Sequence, residues 1–357
     1  MRSFLKVAAF NVILTGFLLA LLVIGLPLAW DIRNELKTPT TDGRGVLSVY
    51  KDDPWAPKHF KEFNNLKSEY RDFVVWRRLK FDGETIHIDE DGYRRHGNRE
   101  GGPAQASIWL FGGSTMWGTG ARDDETIPAY LEKITSRRTF NLGESGYVAH
   151  QSLNLLMKLF IEGGRPEDVV FYDGVNDIET KCRSSGNFFA TILDSSVRQA
   201  MREKSLEYLN IERVILPLRA FIAKLVQRGG SDAPVFDCHL DEKKADLVAK
   251  TMVADWAVAK ALSVAHGARF TAVLQPVAHI GKPNISHLPE VANDEMLRKQ
   301  YEVVYPKIKV ELAKANIDYI DLTAAFDGKE MLYIDFCHVI PKGNRMIASA
   351  LSPMFKK

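Results

Sequence analysis

Three cysteines in 357 residues exclude a fold held together by many disulfides. A formal net charge of +2 at pH 7, with no basic stripe interleaved with aromatics, gives no reason to expect a nucleic-acid partner. No internal repeat, heptad run or low-complexity tract is present. The histidines His239, His266, His279 and His287 are not spaced as metal ligands with another His, Cys or carboxylate, and Cys238-His239 is adjacent instead of spaced. Gly112-Gly113-Ser114 lacks the lysine and the spacing of a phosphate-cradling Walker loop. Neither a metal nor a cofactor is therefore expected. What remains, 46% hydrophobic and 26% charged, is the composition of an ordinary globular protein.

Long apolar runs are scarce too, which makes the one that exists informative. Val7 through Trp30 contains no charged residue and only one strongly polar one, Asn11, enough to cross ~30 Å of hydrocarbon as a helix. Arg2 and Lys6 precede it, while Asp31, Arg33, Glu35 and Lys37 cancel, which puts the N-terminus in the cytoplasm and the bulk of the chain outside. A cleaved signal peptide is the competing reading. Leu28-Ala29-Trp30 offers no small-x-small cleavage site, so a retained single-pass anchor over residues 1–30 in the cytoplasmic membrane is expected.

The chain beyond is organised around Ser107-Ile108-Trp109-Leu110-Phe111-Gly112-Gly113-Ser114-Thr115. A short apolar run ended by two glycines and a serine reads as a buried strand that delivers a hydroxyl to a tight turn. A helix is expected to begin near Asp123-Asp124-Glu125-Thr126-Ile127-Pro128, where acids suit the first turn and Pro128 an early position. Further strands are expected near 138–142, 168–173, 268–275 and 316–321, with helical stretches over 127–137, 151–163, 243–266 and 294–315 between them. That alternation predicts an α/β fold, a doubly wound parallel sheet with helices on both faces.

Three more stretches fall at the ends of these strands or in a late loop. Asn141-Leu142-Gly143-Glu144-Ser145-Gly146 supplies glycine amides, Asp173-Gly174-Val175-Asn176-Asp177 an asparagine, and Asp335-Phe336-Cys337-His338 a carboxylate and an imidazole three residues apart. This order of Ser, Gly, Asn and Asp-x-x-His resembles the SGNH hydrolase family, also called GDSL-type esterases, over about residues 105–351. The resemblance implies a flavodoxin-like strand order, Ser114 as nucleophile, His338 as general base and Asp335 as its orienting partner. It implies an oxyanion hole made by the amides of Ser114 and Gly146 and the side chain of Asn176. The same roles are what the chemistry asks for, since a serine hydroxyl needs a base and the base needs an orienter. The family's first block usually reads Gly-Asp-Ser, and Gly113 stands where that aspartate would be, which leaves open how the turn is held. Membrane-anchored envelope members with a Gly-Gly-Ser-Thr block are the better match.

Residues 31–104 read as a stem and pre-domain. Thr38 to Gly45 is turn-rich and reads as a linker, and Trp55, Phe60, Phe63, Tyr70, Phe73 and Trp76 recur at loosely helical spacing as a packing stripe. Ile86-His87-Ile88-Asp89 alternates before a turn, and Tyr93 to Arg99 reads as a solvated basic loop. Residues 105–357 form the catalytic domain, interrupted over 178–242 by an insertion with a helical pattern from Leu206 to Leu225 and a glycine break at Gln227-Arg228-Gly229-Gly230. Cys182 and Cys238 bracket that insertion, and an exported location permits a bridge between them, leaving Cys337 free beside the base.

The function expected is that of a serine esterase removing an ester-linked acyl group, such as acetyl, from an envelope glycan or a small ester. An O-acyltransferase on an envelope polysaccharide would use the same machinery with a sugar hydroxyl in place of water. A non-catalytic anchored glycan-binding protein is the third reading, disfavoured because such a protein has no need of all five residues.

Overall fold

The structure, a computed structural model, describes residues 2–20, 25, 42–96, 102–183 and 235–356. Most of the second half of the expected membrane span, the stem to residue 41, residues 97–101 and the insertion from 184 to 234 lie outside the described residues. The Leu206–Leu225 helical pattern and the glycine break after it fall there. The chain divides into two units. In the smaller, Met1–Thr40 with Ser195–Ala233, the main described element is helix α1, Arg2–Ala20. Among the described residues no helix is long and apolar enough to cross a membrane.

The larger unit, Thr41–Asp194 with Pro234–Lys357, contains three sheets among its described residues. It opens with a 3-10 turn, Gly43–Val46, then α2, Ala56–Asn65. Two antiparallel ribbons follow: β1 (Ser68–Arg71) with β2 (Val75–Arg78), and β3 (Phe81–Asp82) with β4 (His87–Ile88). The expected aromatic stripe is therefore not one helix face. Phe60 is buried on α2 and Trp76 is buried on β2, whereas Phe73, in the turn between β1 and β2, is exposed.

The main sheet has five parallel strands: β5 (Ile108–Gly112), β6 (Thr139–Asn141), β7 (Asp168–Asp173), β8 (Arg269–Leu274) and β9 (Tyr319–Asp321). Their spatial order is β6-β5-β7-β8-β9, the flavodoxin-like arrangement, whose strand order reverses between β5 and β7. Side chains alternate across the sheet as a pleated strand requires. Ile108, Leu110, Val170 and Tyr172 face a core shared with α4 (Ile127–Thr135) and the C-terminal α10 (Pro341–Leu351). Trp109 and Phe111 point the other way, where Trp109 meets Phe160 on α5 (Ala149–Ile161) and Phe111 meets Phe171. Helices α7 (Glu242–Ala265) and α9 (Glu295–Lys314), the latter preceded by the one-turn α8 (Pro289–Ala292), extend that second layer. Because both faces are covered, the strands read as continuous apolar runs, and all five sit where the sequence pattern puts them.

Two elements differ from expectation near the first strand. The residue after Gly113 opens a one-turn helix at once, α3 (Ser114–Trp117), and the acidic Asp123–Glu125 is a 3-10 turn ahead of α4, which Thr126 caps. Thr126 accepts from the Ala129 N–H, so α4 starts at Ile127 with Pro128 in its first turn as expected, and the acids precede the cap instead of following it.

Candidate active site

Every strand of the main sheet points its carboxyl end at one edge, and the four motif blocks gather there. Gly112-Gly113 ends β5 and turns the chain so that Ser114 starts α3. Asp335 to His338 lies in a loop between β9 and α10 whose legs are closed by Ile334 N–H to His338 O (2.9 Å) and Ile340 N–H to Leu332 O (2.9 Å). Ala278 N–H, just past β8, donates to Phe336 O at 2.8 Å and pins the loop tip to the sheet edge.

This framing brings Ser114 Oγ to 2.6 Å from His338 Nε2. The other ring nitrogen, Nδ1, lies 2.6 Å from Asp335 Oδ2. Asp335 Oδ1 accepts the backbone N–H of Cys337 (3.0 Å) and of His338 (2.8 Å), so the three-residue spacing folds the carboxylate back over its own loop. Burial works against the charge on Asp335, but the imidazole and these backbone donors outweigh it and hold the carboxyl well below the usual carboxylate range. With Oδ2 ionised as an acceptor, Nδ1 carries the proton and Nε2 is left to accept from the Ser114 hydroxyl.

Three amide groups named by the motif blocks, those of Ser114, Gly146 and Asn176, follow strands of this sheet. From Gly143 to Val148 each backbone N–H except that of Gly146 has an acceptor among the described residues: Gly143 donates to Asn141 Oδ1, Glu144 to Gly112 O, Ser145 to Glu144 Oε1, Tyr147 to Glu144 O and Val148 to Gln151 Oε1. The Ser114 N–H also has no acceptor among the described residues, as first-turn helix donors commonly do not. Asn176 lies in the first turn of the helix that follows β7, and its Nδ2 donates to Tyr147 O at 2.8 Å, which ties the third block to the second and leaves one amide hydrogen over.

The glycine at 113, where the family pattern has an aspartate, is explained by this packing. A Cβ on residue 113 would run into Asn176 Nδ2, so side-chain amide and glycine occupy one space. The loop that follows α3 is held by residues distant in the chain. Arg94, 1% exposed, donates to the carbonyls of Gly118 (2.6 Å) and Ala121 (2.6 Å) and to Asp123 Oδ1 (2.9 Å). His59 Nε2 lies 2.8 Å from Thr119 O, and Tyr50 donates to Gly120 O at 2.6 Å. The basic loop expected to be solvated therefore contains a buried arginine, because five oxygen partners replace its water.

The glycine loop is wired to the pre-domain in the same way. Trp76 Nε1 donates to Ser145 O (3.1 Å), Arg78 Nη2 to Ser145 Oγ (2.9 Å) and Tyr147 Oη to Trp76 O (2.5 Å), on both sides of Gly146. Arg44, in the stretch expected to be a linker, reaches Asp335 Oδ2 at 3.3 Å. No local pattern marks Arg44, Trp76, Arg78 or Arg94, since each acts on a partner far away in the chain.

Cys182, at the end of α6 (Val175–Lys181), is bridged to Cys238, which precedes α7. Cys337 is free and buried, with Sγ 3.6 Å from His338 Nδ1, and burial pushes its thiol up. Asp335, Cys337 and His338 place three ligand-type atoms within 4.8 Å. Both His338 nitrogens are engaged with Asp335 and Ser114 and the thiol is held neutral, a donor set poorly disposed to a metal.

No protein-family model and no curated protein matches the chain. Among solved structures it is similar to an α/β hydrolase enzyme from the metagenome of Lake Arreo, Spain, at 14% identity over 71% of this chain and 98% of that one, with a TM-score of 0.39. A lipolytic G-D-S-L family protein of Veillonella parvula aligns at 14% identity over 70% and 97%, TM-score 0.41. A carbohydrate acetylesterase family member from Sinorhizobium meliloti aligns at 15% identity over 69% and 95%, TM-score 0.36.

Proposed function

We propose that this chain is an SGNH-type serine esterase that removes an acyl group, such as acetyl, from an ester on an envelope glycan or a small molecule. The observation that carries the reading is the unbroken chain Ser114 Oγ to His338 Nε2 and His338 Nδ1 to Asp335 Oδ2, each link 2.6 Å. In the first half-reaction His338 Nε2 takes the hydroxyl proton as Ser114 Oγ bonds to the ester carbonyl carbon. The carbonyl oxygen becomes an anion facing the amides of Ser114 and Gly146 and Nδ2 of Asn176, donors fixed before charge develops. Collapse breaks the C–O bond to the alcohol, which leaves with the proton from His338. Water then repeats the sequence on the acyl-serine, yielding the free acid and the resting serine.

The apolar run Val7–Trp30 with Arg2 and Lys6 before it supports a retained anchor and a catalytic unit outside the cytoplasm. The Cys182–Cys238 bridge is consistent with an oxidising compartment. An ester panel with short-chain acyl alcohols and acetylated glycans, run with the wild type and Ser114→Ala, tests the proposal: serine-dependent release of acid supports it. Transfer of the acyl group to a glycan hydroxyl in place of water would assign the acyltransferase reading instead.

A further inference from the structure

The loop that begins the larger unit inserts a second charge pair into the site. Arg44 lies in the Gly43–Val46 turn, whose Gly45 packs so closely on α2 that an added Cβ would sit 2.9 Å from Pro57 Cα. Asp42, which caps the turn, holds the guanidinium through Nε to Oδ1 (3.0 Å) and Nη2 to Oδ2 (2.7 Å). The rings of Phe60 and Phe63 lie 4.9 and 5.4 Å from its central carbon. Clamped on these sides, Arg44 has Nη1 left, and that atom lies 3.3 Å from Asp335 Oδ2, the oxygen that also receives His338 Nδ1–H at 2.6 Å.

We propose that Arg44 is a positioning residue of the active centre, which acts through Asp335 to fix the carboxylate under His338 and to balance its charge. The inference rests on the serine-esterase reading above. In the resting site Asp42, Arg44 and Asp335 carry one negative charge between them, and protonation of His338 during attack makes the four groups neutral. Without the guanidinium the same groups carry one further negative charge at each stage, which favours the protonated form of the cluster as a whole and weakens it as a base. The longer contact of Arg44 leaves the shorter one to His338, so the arginine steadies Asp335 without displacing it.

Among the described residues, further titratable groups around the pair are the Cys337 thiol, the Tyr50 hydroxyl held by Gly120 O, the buried His59 imidazole of α2, which feels the Arg44 charge, and Glu179 of α6, whose charge reaches Cys337. All are kept in the variants below. The second-order rate of Ser114 labelling by a fluorophosphonate, measured against pH on the full-length protein, requires no knowledge of the substrate. Arg44→Met is expected to move the acid limb of that profile to higher pH by roughly one unit. Arg44→Lys, which keeps the charge, should leave the limb near wild type. Asp42→Asn frees the guanidinium charge and should move the limb to lower pH. A purely structural clamp would change the plateau rate in both variants but shift neither limb. An unchanged limb in folded Arg44→Met overturns the proposal while leaving the nucleophile assignment intact. If Arg44→Met fails to fold, an unchanged limb in Asp42→Asn overturns it. Failure of the wild-type serine to label at any pH overturns the esterase reading and this inference with it.

Discussion

The side-chain amide of Asn176 fills the space that any side chain on residue 113 would need. Gly113→Ala is therefore expected to push Asn176 off Tyr147 O and away from the oxyanion position. Turnover should fall by about 100- to 1000-fold, the usual cost of one lost donor, with little change in KM. Asn176→Ala should give the same loss, and the double variant hardly more, because both remove one interaction. Steady-state kinetics on a short-chain ester checks this; a fully active Gly113→Ala would contradict it.

Arg94 carries its charge where water cannot reach it. Arg94→Met leaves Asp123 and the carbonyls of Trp117, Gly118 and Ala121 without their buried donor, and about 3–5 kcal/mol of destabilisation is expected. Denaturant unfolding measures it. A loss below about 1 kcal/mol would mean that other donors reach these oxygens.

Asp335 is held ionised by His338 and two backbone N–H groups against the cost of burial. A depressed carboxyl contributes stability that is intact above its unfolded pKa of about 4 and is lost as pH falls below that. Asp335→Asn should therefore flatten the acid side of the stability curve, read as midpoint of denaturant unfolding between about pH 2 and pH 5. It should also lower turnover, because the amide carries no charge to stabilise the imidazolium and its NH2 can hold His338 in the wrong tautomer.

The Cys182–Cys238 bridge joins the end of α6 to the start of α7 across 56 residues. Replacing both cysteines with serine is expected to cost roughly 2–4 kcal/mol of stability through the freer unfolded chain. Neither sulfur takes part in the chemistry, so turnover by the folded fraction should be unchanged.

The fold was legible because each strand of a doubly covered sheet is a short apolar run, and each motif block stands where such a run ends. Ser114, Gly146, Asn176 and the Asp335–His338 pair stand out because that order of blocks resembles the SGNH hydrolases, and the fold sets Ser114, His338 and Asp335 in one hydrogen-bonded chain. Gly113 could be noticed as a departure, but its reason lies in a contact with residue 176. Arg44 and Asp335 are 291 residues apart, and nothing beside either one signals the other. The same holds for Arg94, read as a solvated charge because only the folded chain shows the carbonyls that surround it. The aromatic stripe failed for another reason: residues 56–65 are helical but 68–78 form a hairpin, so a helical period imposed across both misplaces Phe73.

The most direct measurement is mass spectrometry of the protein quenched during turnover of an acyl ester. The account predicts one acyl group per chain on Ser114, accumulating in wild type and absent from Ser114→Ala and His338→Ala. An acyl group on any other residue, or ester cleavage that survives in folded Ser114→Ala, would contradict it.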